Sequence, residues 1–279
     1  MLSYKHGFHA GNHADVLKHV CLIYFIKSIK KQYNSIIYVD THAGGGIYNF
    51  NDAYMKKNQE YNTGIGKIEN YIKEDPYIKF YLKTLKNINE NKKKTFYPGS
   101  PKIAEYLTDN NDELYFFELH NNEFIILKKN FRTKINIKIS KLDGFNFFNE
   151  RKLNIEKKGV ILIDPSYEIK DDFENVIKFV QNHYELYKNK IVIIWYPILN
   201  REYTNEFIEK FKKTGIKDIL RIEMPIKNDS IERGMSGSGL IVLNTHQKTA
   251  QSLRGTVKEI QDCLQLEGNK KRIIVNFLR

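Results

Sequence analysis

Residues Gly159-Val160-Ile161-Leu162-Ile163 are an unbroken apolar run, rich in β-branched side chains, that stops at Asp164-Pro165-Ser166-Tyr167. A run of that length with a turn signal at its end reads as a strand buried on both faces. Such strands belong to parallel sheets covered by helices. In these sheets ligands bind outside the carboxyl ends of the strands. That end offers the Asp164 carboxylate, the Pro165 carbonyl and the flat ring of Tyr167. Two acceptors beside a stacking ring suit the exocyclic amine of a nucleobase. A plain strand-ending Asp-Pro turn fits the same four residues.

The rest of the chain supplies the sheet. Residues 35–40, 113–118, 135–139 and 190–196 read as further strands, with two more candidates at 218–224 and 239–244. Asn12 caps a helix that runs to about residue 30, with Asp15 in its first turn near the positive helix end. Val16, Leu17, Val20, Ile23 and Tyr24 form its apolar stripe, with Lys18 and His19 beside it. Other helical segments fit at 173–188 and 205–213. Strands alternating with helices predict an α/β fold with a doubly wound, mostly parallel sheet.

Residues 50–93 break that rhythm. They are polar, lysine-rich and helical in pattern, and Gly64, Gly66 and Pro76 divide them into short helices. The expected organisation is one main domain, residues 1–49 and 94–279, with a small helical insertion at 50–93.

The chain of 279 residues carries 45 Lys+Arg against 33 Asp+Glu, a net charge of +12. A surplus of this sign favours a polyanion, because Lys and Arg release counterions from phosphates. A Lys-, Asn- and Ile-rich composition would also produce it. Cys21 and Cys263 are too few for a disulfide framework or a thiolate zinc site. The first residues have no apolar signal core, and the apolar stretch 191–199 is too short to span a bilayer. A cytoplasmic monomer without membrane association or an obligate protein partner is expected.

Four acids carry most of the functional signal. Asp40, Glu118, Asp143 and Asp164 follow four successive strands and are expected along one sheet edge. Asp40 opens into Thr41-His42-Ala43-Gly44-Gly45-Gly46, a loop that allows close backbone approach to a ligand. In dinucleotide-type sites an acid about 20 residues beyond the glycine loop binds ribose hydroxyls. Glu118 takes that place once the insertion is set aside. Asp143-Gly144 could hold the adenine edge of a cofactor. His6, His9, His13 and His19 suggest a metal, but only Asp15 lies nearby as a further ligand, and no metal site is expected.

The opening Met1-Leu2-Ser3-Tyr4-Lys5-His6-Gly7-Phe8-His9-Ala10-Gly11-Asn12-His13-Ala14-Asp15-Val16-Leu17-Lys18-His19 closely resembles the start of the bacterial RlmJ family, which methylates adenine N6 in 23S ribosomal RNA. Asp40-Thr41-His42-Ala43-Gly44, Tyr97-Pro98-Gly99-Ser100-Pro101, Glu118-Leu119-His120, Asp143-Gly144, Leu162-Ile163-Asp164-Pro165, Trp195-Tyr196-Pro197 and Arg233-Gly234-Met235 extend the resemblance in order over most of the chain. The resemblance implies a class I, Rossmann-like methyltransferase with a helical insertion and S-adenosylmethionine as donor. It implies cofactor contacts at His19, His42, Ser100, Glu118, Asp143, Gly144 and Asp164, with Asp164 as the catalytic residue. It also implies that Tyr4 meets the RNA, that Lys18 lies close to the reacting centre, and that the target is adenine 2030 of 23S rRNA. The family pattern is Asp-Pro-Pro-Tyr; here Ser166 stands third, which gives up the φ restraint of a second proline.

The expected chemistry follows from the two acceptors. Asp164 and the Pro165 carbonyl hold the amine, and Tyr167 stacks on the base. The four-residue motif serves DNA and RNA enzymes alike, so an N6-adenine DNA methyltransferase stays open. So does an RNA-binding member of the fold impaired in catalysis.

Overall fold

The computed structural model describes residues 6–90, 95–146, 156–168, 171–199, 201–228 and 234–278. A 3-10 turn, His6–Phe8, leads into helix α1, His13–Lys30. Strands β1 (Ile37–Asp40) and β2 (Ile47–Asn49) follow, then helices α2 (Ala53–Asn58), α3 (Ile65–Ile68) and α4 (Pro76–Ile88). Next come β3 (Phe96–Pro98), α5 (Ser100–Leu107), β4 (Glu113–Phe117), α6 (Asn121–Phe131), β5 (Ile137–Ser140) and β6 (Gly159–Ile163). The remainder is α7 (Asp171–Tyr187), β7 (Lys190–Ile198), α8 (Arg201–Lys213), β8 (Leu220–Pro225), β9 (Gly237–Leu243), α9 (Lys248–Leu264) and β10 (Ile274–Phe277).

Eight of these strands form one sheet in the order β10-β8-β9-β7-β6-β1-β4-β5. β5, β4, β1, β6 and β7 run parallel, whereas β9 is antiparallel to both β7 and β8, and β10 to β8. From β1 the chain steps outward to β4 and β5, then returns to place β6 on the other side of β1. The carboxyl ends of β1 and β6 therefore flank the topological switch point, where open α/β sheets bind ligands.

The β6 run shows why the sheet is closed on both faces. Val160 and Leu162 enter the core beneath α1, and Ile161 and Ile163 enter the core beneath α7 and α8. Alternation with period two sends neighbours to opposite faces. Each fully buried aliphatic chain contributes roughly 1.5–3 kcal/mol.

Helix α1 is the element that most shapes the site. The Asn12 side chain accepts from the Ala14 and Asp15 N–H groups at 2.9 and 3.1 Å, which fixes where it starts. It packs on the sheet and is covered by α4, α5 and α9. Consequently Asp15, Lys18 and His19 are buried, although they lie on polar positions of the helix.

Residues 50–95 leave and rejoin the fold through a two-stranded ribbon, β2 against β3. The helices between pack back on the main body: Tyr77 meets Tyr24 of α1 edge-on at 4.9 Å, and Tyr71 hydrogen-bonds Glu259 of α9. The third expected strand starts later than its sequence pattern indicated. Ile135 is 92% exposed in the turn before β5, and the Asn136 side chain bonds the Asp109 and Asp112 carbonyls instead. Among the described residues no helix is long and apolar enough to cross a membrane.

Candidate active site

A cavity opens at the switch point. Lys18 and His19 reach it from α1, and His42 and Gly44 from the loop after β1. Ser100 begins α5, Glu118 follows β4, Asp143 and Gly144 follow β5, and Asp164 and Pro165 follow β6. Its volume of about 260 Å³ far exceeds the roughly 10–15 Å³ that one water needs. Six chain segments thus bring nine of the expected site residues to one place.

Lys18 is the hub of one wall. Its Nζ donates to Asp164 Oδ2 at 2.5 Å and lies 2.9 Å from Asp15 Oδ1. Asp15 Oδ2 also accepts from the Gly11 N–H at 2.8 Å and lies 3.0 Å from His6 Nε2. Burial works against the Lys18 charge, but the two carboxylates outweigh it and raise its pKa above the usual lysine range. Burial also works against a charged Asp15, yet His6 and Lys18 hold its carboxyl well below the usual range. The pairing leaves Asp164 Oδ1 and the Pro165 carbonyl without a donor among the described residues. Both residues line the cavity, so two adjacent acceptors are unclaimed at its wall among the described residues.

The other walls combine apolar surface with histidines and with the acids Glu118, Glu123, Asp143 and Asp172. Burial lowers His42 to about 3, so its ring is neutral at pH 7. Burial also lowers His19 to about 3, and it shares a 2.8 Å hydrogen bond with the Tyr97 hydroxyl. Glu118 is pushed up to about 7 by burial, although it accepts from the Gly44 N–H at 2.8 Å and the His120 N–H at 2.6 Å. His120 Nδ1, on the same wall, is buried without a partner among the described residues.

Backbone contact sets the floor. A Cβ on Gly144 would lie 1.9 Å from the Thr41 carbonyl oxygen, so the loops after β1 and β5 can touch only through glycine. Gly44 adopts φ +58°, a left-handed conformation that turns its N–H to Glu118.

Glu118 and Asp143 offer acceptors to a polar ligand in this cavity, and the orphaned His120 Nδ1 offers one more polar contact.

The family model described as "Ribosomal RNA large subunit methyltransferase D, RlmJ" matches residues 33–274. The chain belongs to the RlmJ family. It is 36% identical over 257 residues to ribosomal RNA large subunit methyltransferase J of Escherichia coli (strain K12), spanning 92% of each chain. The protein of the same name from Haemophilus influenzae is 38% identical over 245 residues, 88% of this chain and 87% of that one. The crystal structure of LPL1258 from Legionella pneumophila superposes with a TM-score of 0.86 at 29% identity, covering 96% of this chain and 98% of that one.

Two residues of the sequence reading, Tyr167 as the stacking ring and Asp40 among the strand-end acids, do not line the cavity. Tyr167 has φ +52°, its ring packs on Phe173 at 4.4 Å, and its hydroxyl donates to the Trp195 carbonyl at 2.6 Å. The left-handed backbone turns the ring into a neighbouring hollow between α7 and α8. Asp40, at the end of β1, is fully buried beneath the cavity and accepts from the Tyr38 hydroxyl at 2.8 Å. Burial pushes Asp40 up to about 6. Tyr4 lies outside the described residues.

The N-terminal histidines diverge. His6 goes to Asp15, His9 to Glu60 at 2.9 Å, and His19 to Tyr97, while burial lowers His13 to about 4. No group of three metal-ligating side chains forms among the described residues. For chemistry, His6 and Asp15 read in the sequence only as metal ligands and His120 only as part of a motif, and no pattern placed them in this cavity. Asp15 looked like a helix-start acid, and nothing local signalled that it would be buried beside Lys18.

Proposed function

We propose that this chain transfers a methyl group from S-adenosylmethionine to the N6 amine of one adenine in 23S rRNA, adenine 2030. The observation that carries the reading is the unclaimed pair of acceptors, Asp164 Oδ1 and the Pro165 carbonyl, on the wall of a cavity lined by Glu118 and Asp143. The curated relatives named as ribosomal RNA large subunit methyltransferases support the substrate class.

The donor supplies an electrophilic methyl on a sulfonium, and His19, His42, Ser100, Glu118, Asp143 and Gly144 would hold it. The adenine amine is a poor nucleophile, since its lone pair is delocalised into the ring. Hydrogen bonds from its two N–H groups to Asp164 Oδ1 and the Pro165 carbonyl favour a pyramidal nitrogen and aim the lone pair. Those bonds strengthen as the nitrogen becomes positive, so they stabilise the transition state more than the ground state. Lys18 clamps Asp164 through Oδ2, which keeps Oδ1 turned to the substrate. Oδ1 then takes the proton that the methylated nitrogen sheds. The target base must leave its stack to reach this wall.

The test is incubation of the purified protein with labelled S-adenosylmethionine and rRNA lacking the modification, followed by mapping of the label. One labelled adenine, recovered as N6-methyladenosine, is expected. Label in duplex DNA but not in rRNA would overturn the reading in favour of a DNA enzyme. Cofactor binding without any methylated product would reduce the chain to an RNA-binding relative.

A further inference from the structure

The mouth of the cavity is electrically lopsided. One side is the first turn of α7, with Asp171, Asp172 and Glu174, of which Asp172 lines the cavity. The nearby Lys210 is spent on Glu174 and on Glu206, at 3.0 Å from the latter. This side repels phosphate.

Helix α2 approaches the cavity through the turn that carries His6. It docks on the 3-10 turn His6–Phe8, whose His6 lines the cavity: Tyr54 meets Phe8 edge-on at 5.0 Å, and Lys57 Nζ lies 5.6 Å from the Phe8 ring centre. Met55 is buried and anchors the helix, whereas Lys56 and Lys57 are exposed. Neither ammonium meets a carboxylate among the described residues. Glu60, the nearest downstream acid, is taken by His9 and Asn12. Asp52 at the helix start is the one opposing charge on this stretch. Tyr54 is 43% exposed beside the two lysines.

We propose that α2 is the RNA track: the strand flanking the target adenine crosses the cavity mouth over this helix, with Lys56 and Lys57 on its phosphates and Tyr54 beneath an unstacked base. Basic groups that follow the backbone next to an aromatic face are how single strands are gripped without sequence readout. Among the described residues the acidic first turn of α7 offers no equivalent path. This rests on the rRNA reading above.

The test measures equilibrium binding of an unmodified 23S rRNA fragment to the full chain across a salt series, with methylation followed separately. K56E/K57E is expected to weaken binding at least about tenfold near physiological salt. The slope of log affinity against log salt is expected to drop by about 1.4–1.8, since each lost phosphate contact removes roughly 0.7–0.9. S-adenosylhomocysteine affinity serves as the check that the fold and cofactor cavity are intact. K212E/K213E, on exposed positions of α8, makes the same charge change and is expected to bind as wild type. Wild-type affinity and slope in K56E/K57E, or equal loss in both double variants, would overturn the track. A wild type that binds but does not methylate would sink the rRNA methylation reading alone; one that binds no RNA would sink both.

Discussion

Lys18 and Asp164 are 146 positions apart in the chain, yet Nζ and Oδ2 lie 2.5 Å apart. The contact joins a helix that precedes the first strand to the loop after β6. It uses one oxygen of the carboxylate and leaves the other without a donor among the described residues. A single ion pair thus fixes which oxygen of Asp164 is engaged.

Replacing Asp164 by Asn keeps the shape but removes the charge and leaves Lys18 with Asp15 as its remaining carboxylate. Methyl transfer is expected to fall by about 10²–10³-fold or more, the usual cost of removing one preorganised transition-state contact. Circular dichroism should be unchanged. Turnover close to wild type would remove Asp164 from the mechanism.

Lys18→Met leaves the buried Asp15 and the partly buried Asp164 without their shared cation. Breaking a buried pair this way costs on the order of 3–5 kcal/mol. Denaturant unfolding measures it, and an unchanged midpoint would show that the ion pair is not holding the two carboxylates.

Glu118 titrates at about 7 in the ligand-free chain, so below that pH it is largely protonated. Ribose hydroxyls donate to it best as an anion. Affinity for S-adenosylhomocysteine is therefore expected to rise with pH up to about 7 and level off above, with a proton released on binding. The sign for stability is the reverse. The raised value costs nothing below the ordinary 4.5 and its full amount above 7 in the ligand-free protein. Calorimetry in buffers of different ionisation enthalpy reads the proton; no release near neutrality would take Glu118 out of the cofactor contacts.

Gly144→Ala drives a Cβ to within 1.9 Å of the Thr41 carbonyl. The two loops must part, and cofactor affinity should fall further than RNA affinity. Equal loss of both would point to general unfolding instead.

Tyr167→Phe deletes the 2.6 Å bond to the Trp195 carbonyl while keeping the ring. A loss of about 1 kcal/mol in stability is expected. Because the ring sits outside the cavity, S-adenosylhomocysteine affinity should not change. A change in that affinity would mean the ring moves into the cavity when ligand arrives.

The strands were legible because a strand buried on both faces must be apolar throughout, as in β6. The acids Glu118 and Asp164 were legible because they follow such runs directly, whereas Asp143 stands three residues beyond the half-buried β5 and was read from its Asp-Gly turn. Direction was not: the apolar pattern of β9 is the same whichever way it runs. The ribbon of β2 and β3 is three residues a side, too short for any periodicity. Tyr167 was misplaced because a left-handed φ at a non-glycine residue leaves no mark in the local pattern. The Asp15–His6–Lys18 cluster depends on α1 being covered on every side, which its own residues do not announce.

Tyr71 reaches Glu259, and the Thr256 hydroxyl donates to Asp75 Oδ2 at 2.7 Å, so the segment between the ribbon strands is stitched to the penultimate element of the fold. A protease nick there would give two fragments that still migrate as one particle. The molecule should melt in one step, with no separately tumbling lobe for relaxation measurements to find.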